Sequence, residues 1–114
     1  MNMQPRLILT DMYIRQCTPS DVVSYKCVQI ELWKEVGMAL HQYEHGYGIS
    51  HYPTGISILK KLKDRSQAIV YMMELHAVLS DWRGTYDQMV AIASTMPIVE
   101  RVISLQHKID NTKE

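Results

Sequence analysis

Between residues 67 and 82, Gln67, Glu74 and Asp81 recur every seven positions as a narrow polar stripe, while Ala68, Ile69, Val70, Tyr71, Met72, Met73, Leu75, Ala77, Val78, Leu79 and Trp82 cover most of the remaining surface. A helix with so wide an apolar face is buried on several sides, so the pattern predicts a central helix or half of an interface. Upstream, Thr18-Pro19-Ser20-Asp21 offers a capping hydroxyl, a proline for the first helical position and an acid three residues after the cap. From there Val23, Cys27, Ile30, Val36 and Leu40, flanked by Val22, Trp33 and Tyr43, fall at helical spacing as far as Gly46, a C-terminal stop, with Gly37 marking close helix packing.

A loop over 46–55 then leads into a short amphipathic piece, Ile56 to Lys63, with Ile58, Leu59 and Leu62 on one side. Asp64 or Ser66 caps the central helix, Gly84 ends it, and Thr85-Tyr86-Asp87-Gln88 reads as a capping box for the next one, whose apolar face is Met89, Val90, Ile92 and Ala93. Pro97 opens a last helix with the stripe Ile98, Val102, Leu105 and Ile109, and Asp110 to Glu114 is expected to fray. Within residues 1–17, Leu7, Ile8 and Leu9 suit a short strand, while Thr10-Asp11 suits a helix start. The expected class is all-α: one domain over 1–114, a compact bundle of four or five helices, with or without a short N-terminal extended segment.

Length permits a self-sufficient core, since a chain of 114 residues buries roughly two-thirds of its unfolded surface. Twelve Lys and Arg balance twelve Asp and Glu, so no overall field draws the protein to nucleic acid or anionic membrane. Cys17 and Cys27, outside any Cys-x-x-Cys spacing, read as small buried thiols in a reducing compartment. No apolar run approaches the ~18 residues of a membrane span, and the N-terminus lacks a signal-like progression, so a cytoplasmic protein is expected.

Four groups of residues could carry chemistry. His41-Gln42-Tyr43-Glu44-His45 resembles the His-x-x-Glu-His motif of the inverted zinc peptidases. On a helix, His41 and His45 share a face, Glu44 stands beside them, and His51 could complete a three-histidine metal site. The peptidases it resembles are far larger and take a further acidic ligand, for which only Glu100 and Glu114 are available. Arg101 and His107, separated by five residues, resemble the Arg-x(4 to 6)-His motif of the HEPN ribonucleases, helical bundles of about this size; the resemblance implies RNA cleavage by these two residues and departs from the family at Val102. Lys60, Lys61, Lys63 and Arg65 form a basic run that could contact phosphates, although the helix after it lacks polar base-reading residues.

The fourth group is aromatic. Tyr43, His45, Tyr47, His51 and Tyr52 lie among Gly46, Gly48, Pro53 and Gly55, and the chain carries seven tyrosines but no phenylalanine. Tyrosine buries a ring and keeps a hydroxyl wet, which suits binding surfaces. No phosphate loop, nucleophile elbow or zinc knuckle supports an enzyme, and no cofactor is expected. The reading is a small protein-interaction module, an adaptor, regulator or inhibitor, forming a homodimer and contacting its partner through Tyr43, Tyr47, His51, Tyr52 and, on the central helix, Tyr71 and Met72. Nucleic-acid binding through the basic run is the alternative, followed by the metal and ribonuclease readings.

Overall fold

The computed structural model of the chain describes residues 6–17, 23–43, 46–94 and 97–111, without the side chains of 15–17. Five strands precede three helices: β1 (Ile8–Cys17), β2 (Val23–Trp33), β3 (Met38–Tyr43), β4 (Gly46–His51), β5 (Ser57–Leu62), α1 (Arg65–Val78), α2 (Tyr86–Ala93) and α3 (Ile98–Asn111). The strands form one antiparallel sheet in the order β1-β2-β3-β4-β5. The expected all-α bundle is therefore overturned, and with it the long helix ending at Gly46. Its proposed start, Thr18 to Asp21, lies outside the described residues.

The reason is that the first half of the chain carries a period of two beneath its apparent helical spacing. Met12 and Ile14 alternate with Asp11 and Tyr13, and Ile30 and Leu32 alternate with Gln29 and Glu31. Alternation sends one set to one sheet face, and Met12, Ile14, Ile30 and Leu32 are buried while Asp11, Tyr13 and Gln29 are exposed. Cys27, counted as a helical core position, is instead an exposed free thiol. Gly37 does mark a close approach, but in the turn between β2 and β3 at φ +91°, where its amide donates to the Trp33 carbonyl over 2.8 Å. Gly46, expected to stop a helix, opens β4.

The sheet has an apolar core on each face. Met38 pairs with His51 and Leu40 with Ile49. With Leu59 and Leu62, the apolar members of this set pack against Ala68, Tyr71, Met72 and Leu75 of α1 and Ile98, Leu105 and Ile109 of α3. On the opposite face Ala39, between Leu32 and Ser50, joins Met12, Ile14, Ile30 and Leu32 in a smaller core. The segment expected as a short amphipathic helix is β5. A register shift against β4, with Lys61 at φ +64°, inserts an extra residue so that Leu59 and Leu62 both point inward, which is how a bulged strand imitates helical spacing. The Gln106 side chain accepts from the Lys60 amide at 2.9 Å and donates to its carbonyl at 3.0 Å, occupying the edge of β5.

The C-terminal half follows the sequence closely. Asp64 caps α1, its carboxylate accepting from the Gln67 amide at 2.9 Å. The helix stops at Val78, before Gly84, and Trp82 folds back so that its indole donates to the Leu75 carbonyl at 3.3 Å. Thr85 and Gln88 form the expected capping box. Pro97 precedes α3, whose stripe Ile98, Leu105 and Ile109 is buried and Val102 half-buried. The helix continues to Asn111, and the rest of the tail expected to fray lies outside the described residues. Among the described residues, no single helix is long and apolar enough to cross a membrane.

Candidate functional site

The register of β1 against β2 sets Tyr13 opposite Cys27 and Tyr25 opposite Arg15, so Tyr13 and Tyr25 are diagonal neighbours on one face of the ribbon. Met12 and Ile14 anchor the other face, which leaves the tyrosines facing outward. Tyr52, Pro53, Thr54, Gly55 and Ile56 from the β4–β5 connection and Tyr86 from the start of α2 border the same open groove of about 640 Å³. Its four tyrosines are between 38% and 65% exposed. Among the described residues, Asp11 is the one formally charged side chain in the lining. The groove thus offers ring faces, hydroxyls and one carboxylate, a mixed surface suited to peptide groups and apolar side chains together.

A second cleft, of about 280 Å³, lies between β5, α2 and α3. Ile56, Ile58, Trp82, Met89, Ala93 and Val102 contribute to its walls, and among the described residues no Lys, Arg, Asp or Glu lines it. His51 reaches it from the end of β4. That side chain is 6% exposed, its Nδ1 lies 2.7 Å from the Thr54 hydroxyl, and its Nε2 has no hydrogen-bond partner among the described residues. Burial lowers the His51 pKa, with the backbone of Trp82 and Gly84 working against it. His41, on the other face of the sheet and 3.0 Å from the Ser50 hydroxyl, is likewise lowered by burial.

A histidine whose folded-state pKa is depressed takes up its proton more readily in the unfolded chain, so acidification through about 6.5, the ordinary value, favours unfolding. Melting temperature is expected to fall between about pH 7 and pH 5, and to fall less in H41Q/H51Q. An unchanged slope in that variant would assign the pH dependence to other groups.

The structure separates most residues that the sequence grouped. His41 lies on β3, so the one-turn spacing behind the His-x-x-Glu-His reading does not apply; Glu44 and His45 lie outside the described residues. His41 and His51 occupy opposite sheet faces, and the described residues contain no cluster of three or more His, Cys, Asp or Glu able to hold a metal ion. Tyr43 sits beside His41 and accepts the Lys61 amide at 2.6 Å, whereas Tyr47 packs half-buried against the helix-side core. Of the described residues in the aromatic loop cluster, Tyr52 alone borders the tyrosine groove. Tyr71 and Met72, expected on a contact surface, are interior; Val70, Met73 and Ala77 are exposed apolar residues of α1.

Arg101 and His107 are both exposed on α3, and a sheet-containing domain is not the helical bundle on which the HEPN resemblance rested. Lys60, Lys61, Lys63 and Arg65 are exposed, with Arg65 held by Glu31 in a forked ion pair of 2.6 to 3.0 Å. Sequence reasoning missed Tyr13, Tyr25 and Tyr86. The available signal was tyrosine at an outward position between Met12 and Ile14, in a segment whose pattern suits either a strand or a helix start. No family model, curated protein or solved structure matches this chain.

Proposed function

We propose that this chain is a protein-binding module that holds an extended segment of a partner protein in the tyrosine groove. The observation that carries the reading is the convergence of Tyr13, Tyr25, Tyr52 and Tyr86, from the β1–β2 ribbon, the β4–β5 connection and α2, on one open surface. Rigid rings bring large contact area at low entropic cost, and their hydroxyls bond main-chain groups of whatever segment lies across them. Asp11 favours a basic residue in the partner. Nucleic acid fits less well, because no Lys or Arg lines the groove among the described residues and the basic run on β5 and α1 is not part of it.

Selection from a library of displayed unstructured peptides tests this. Wild-type protein should enrich a family of sequences, and Y25S/Y52S, which removes two exposed rings without touching either core, should weaken their binding by at least about tenfold per ring if these are anchor residues. Equal enrichment on the variant would remove the groove as the binding surface.

A further inference from the structure

The two edges of the sheet are finished differently. At the β5 edge a register shift breaks the strand, Lys60 and Lys61 are exposed along it, and the Gln106 side chain bonds the main chain of Lys60. Bulge, charge and covering are the devices that keep an edge from pairing with another chain. β1, at the other edge, lacks the bulge and the covering. Its ten residues include no Pro, Gly or Lys, and its register against β2 runs without a shift from the Ile8–Leu32 pair to the Cys17–Val23 pair. Among the described residues no strand pairs with its outer edge, and Leu9 and Tyr13 are 69% and 65% exposed. β2 is likewise unpaired with β3 before Glu31 among the described residues, but exposed Lys26 stands in the middle of that stretch.

A long row of unpaired amides and carbonyls is a template for another strand, and the residues of β1 select which one. In a symmetric antiparallel pair the twofold axis passes through the sheet, so one residue faces its own copy and residues equally far from it on either side face each other, with their side chains on one sheet face. Centres at Met12 and at Tyr13 give β1 the greatest overlap with itself. Centred on Met12, Asp11 would meet Tyr13 and Arg15 would meet Leu9. Centred on Tyr13, Asp11 meets Arg15 and Met12 meets Ile14, each twice across the axis. Only the second register sets every charge opposite its complement and apolar residues opposite each other, which is the pairing that stabilises neighbouring strands.

We infer that this chain forms a homodimer by antiparallel pairing of β1 with β1 of a second copy, centred on Tyr13, which joins the two five-stranded sheets into one. Residues 9–17 then face one another throughout, and their roughly nine main-chain hydrogen bonds match the number in a typical protein–protein interface. The pairing uses main-chain groups at the strand edge and does not rest on what the tyrosine groove binds. It does set the two copies of Tyr13 side by side, so the grooves meet at the axis. The Asp11 carboxylate has lone pairs enough for Arg15 of the second copy and for a basic residue in the groove.

Sedimentation velocity of the full-length chain under reducing conditions tests this. Wild type should sediment as a dimer at micromolar concentration. D11R, and separately R15D, set like charges opposite each other twice and should each raise the dimer Kd by about tenfold or more, whereas D11R/R15D exchanges the charges and should return it to within about threefold of wild type. Amide hydrogen exchange of wild type is a readout that needs no variant: alternate amides of β1, those pointing away from β2, should be protected at high concentration and released on dilution. A monomer throughout, a Kd that D11R leaves unchanged, a folded double variant that stays as weak as the single ones, or a dimer without added protection in β1 would each overturn the inference. A dimer of the last kind would instead use another surface, such as Val70 and Met73 of α1.

Discussion

Met72→Ala is expected to lower the free energy of unfolding by about 2–5 kcal/mol, the range for removing a long apolar side chain from a closed core. Met72 is completely buried among the residues that join α1 to the sheet. The deleted atoms lose their contacts, and the surrounding strands and helices cannot collapse fully onto the space. Val70→Ala provides the control. Val70 lies on the same helix but more than half exposed, and its truncation should change stability by no more than about 0.5 kcal/mol. Urea unfolding of both variants, at constant m-value, decides the matter. Similar midpoints would mean that α1 does not pack against the sheet through Met72.

Gly37→Ala should be comparably damaging for a different reason. Gly37 sits at φ +91°, and a Cβ there would stand 2.9 Å from the Cα of Arg83 and 3.0 Å from its backbone nitrogen. A flexible side chain could swing aside from such a contact; backbone cannot. The same turn receives the segment after α1, since the Val36 carbonyl accepts from the Trp82 amide at 2.7 Å, and it holds the β4–β5 connection as well, the Gly37 carbonyl accepting from the Tyr52 amide at 2.9 Å. Backbone strain alone is worth about 1–3 kcal/mol, and displacement of residues 82 and 83 adds to it. The expected readout is a lowered melting temperature with a red shift of tryptophan emission as buried Trp82 becomes solvated. Wild-type stability and emission would show that the segment is not pinned at this turn.

These two sites mark where the residue pattern is informative and where it misleads. The stretch from Gln67 to Val78 was legible as a helix because sustained apolarity at helical length leaves few alternatives, but the burial expected on several sides is confined to one face, Ala68, Tyr71, Met72 and Leu75, with Val70, Met73 and Ala77 exposed. Which residues would remain outside was not legible: Tyr71 and Met72 looked available for contact, and the sheet covers them. Gly37 was legible as a point of close approach, but the approaching group comes from residues far along the chain. Of the tyrosine groove, Tyr52 was recognisable in its glycine-rich setting, whereas Tyr13, Tyr25 and Tyr86 joined it only when the ribbon, the β4–β5 connection and α2 came together.

Local chemistry determined what local bonds can complete. Asp64 reaches the Gln67 amide, Thr85 and Gln88 exchange bonds across three residues, and Pro97 separates α2 from α3, all within a few positions of chain. Tertiary structure decided whether the first half would be helix or sheet. Val23, Cys27 and Ile30 satisfy a helical spacing, while Ile30 and Leu32 also satisfy a strand, and such short apolar patterns are resolved by what they pack against. Pairing of β1 with β2 and of Leu40 with Ile49, closed by α1 and α3, buries the alternating set on two faces, a gain that depends on partners distant in sequence. The unbonded Nε2 of His51 has the same origin, because neither the cleft beside it nor the segment from Trp82 to Gly84 exists until the helices dock.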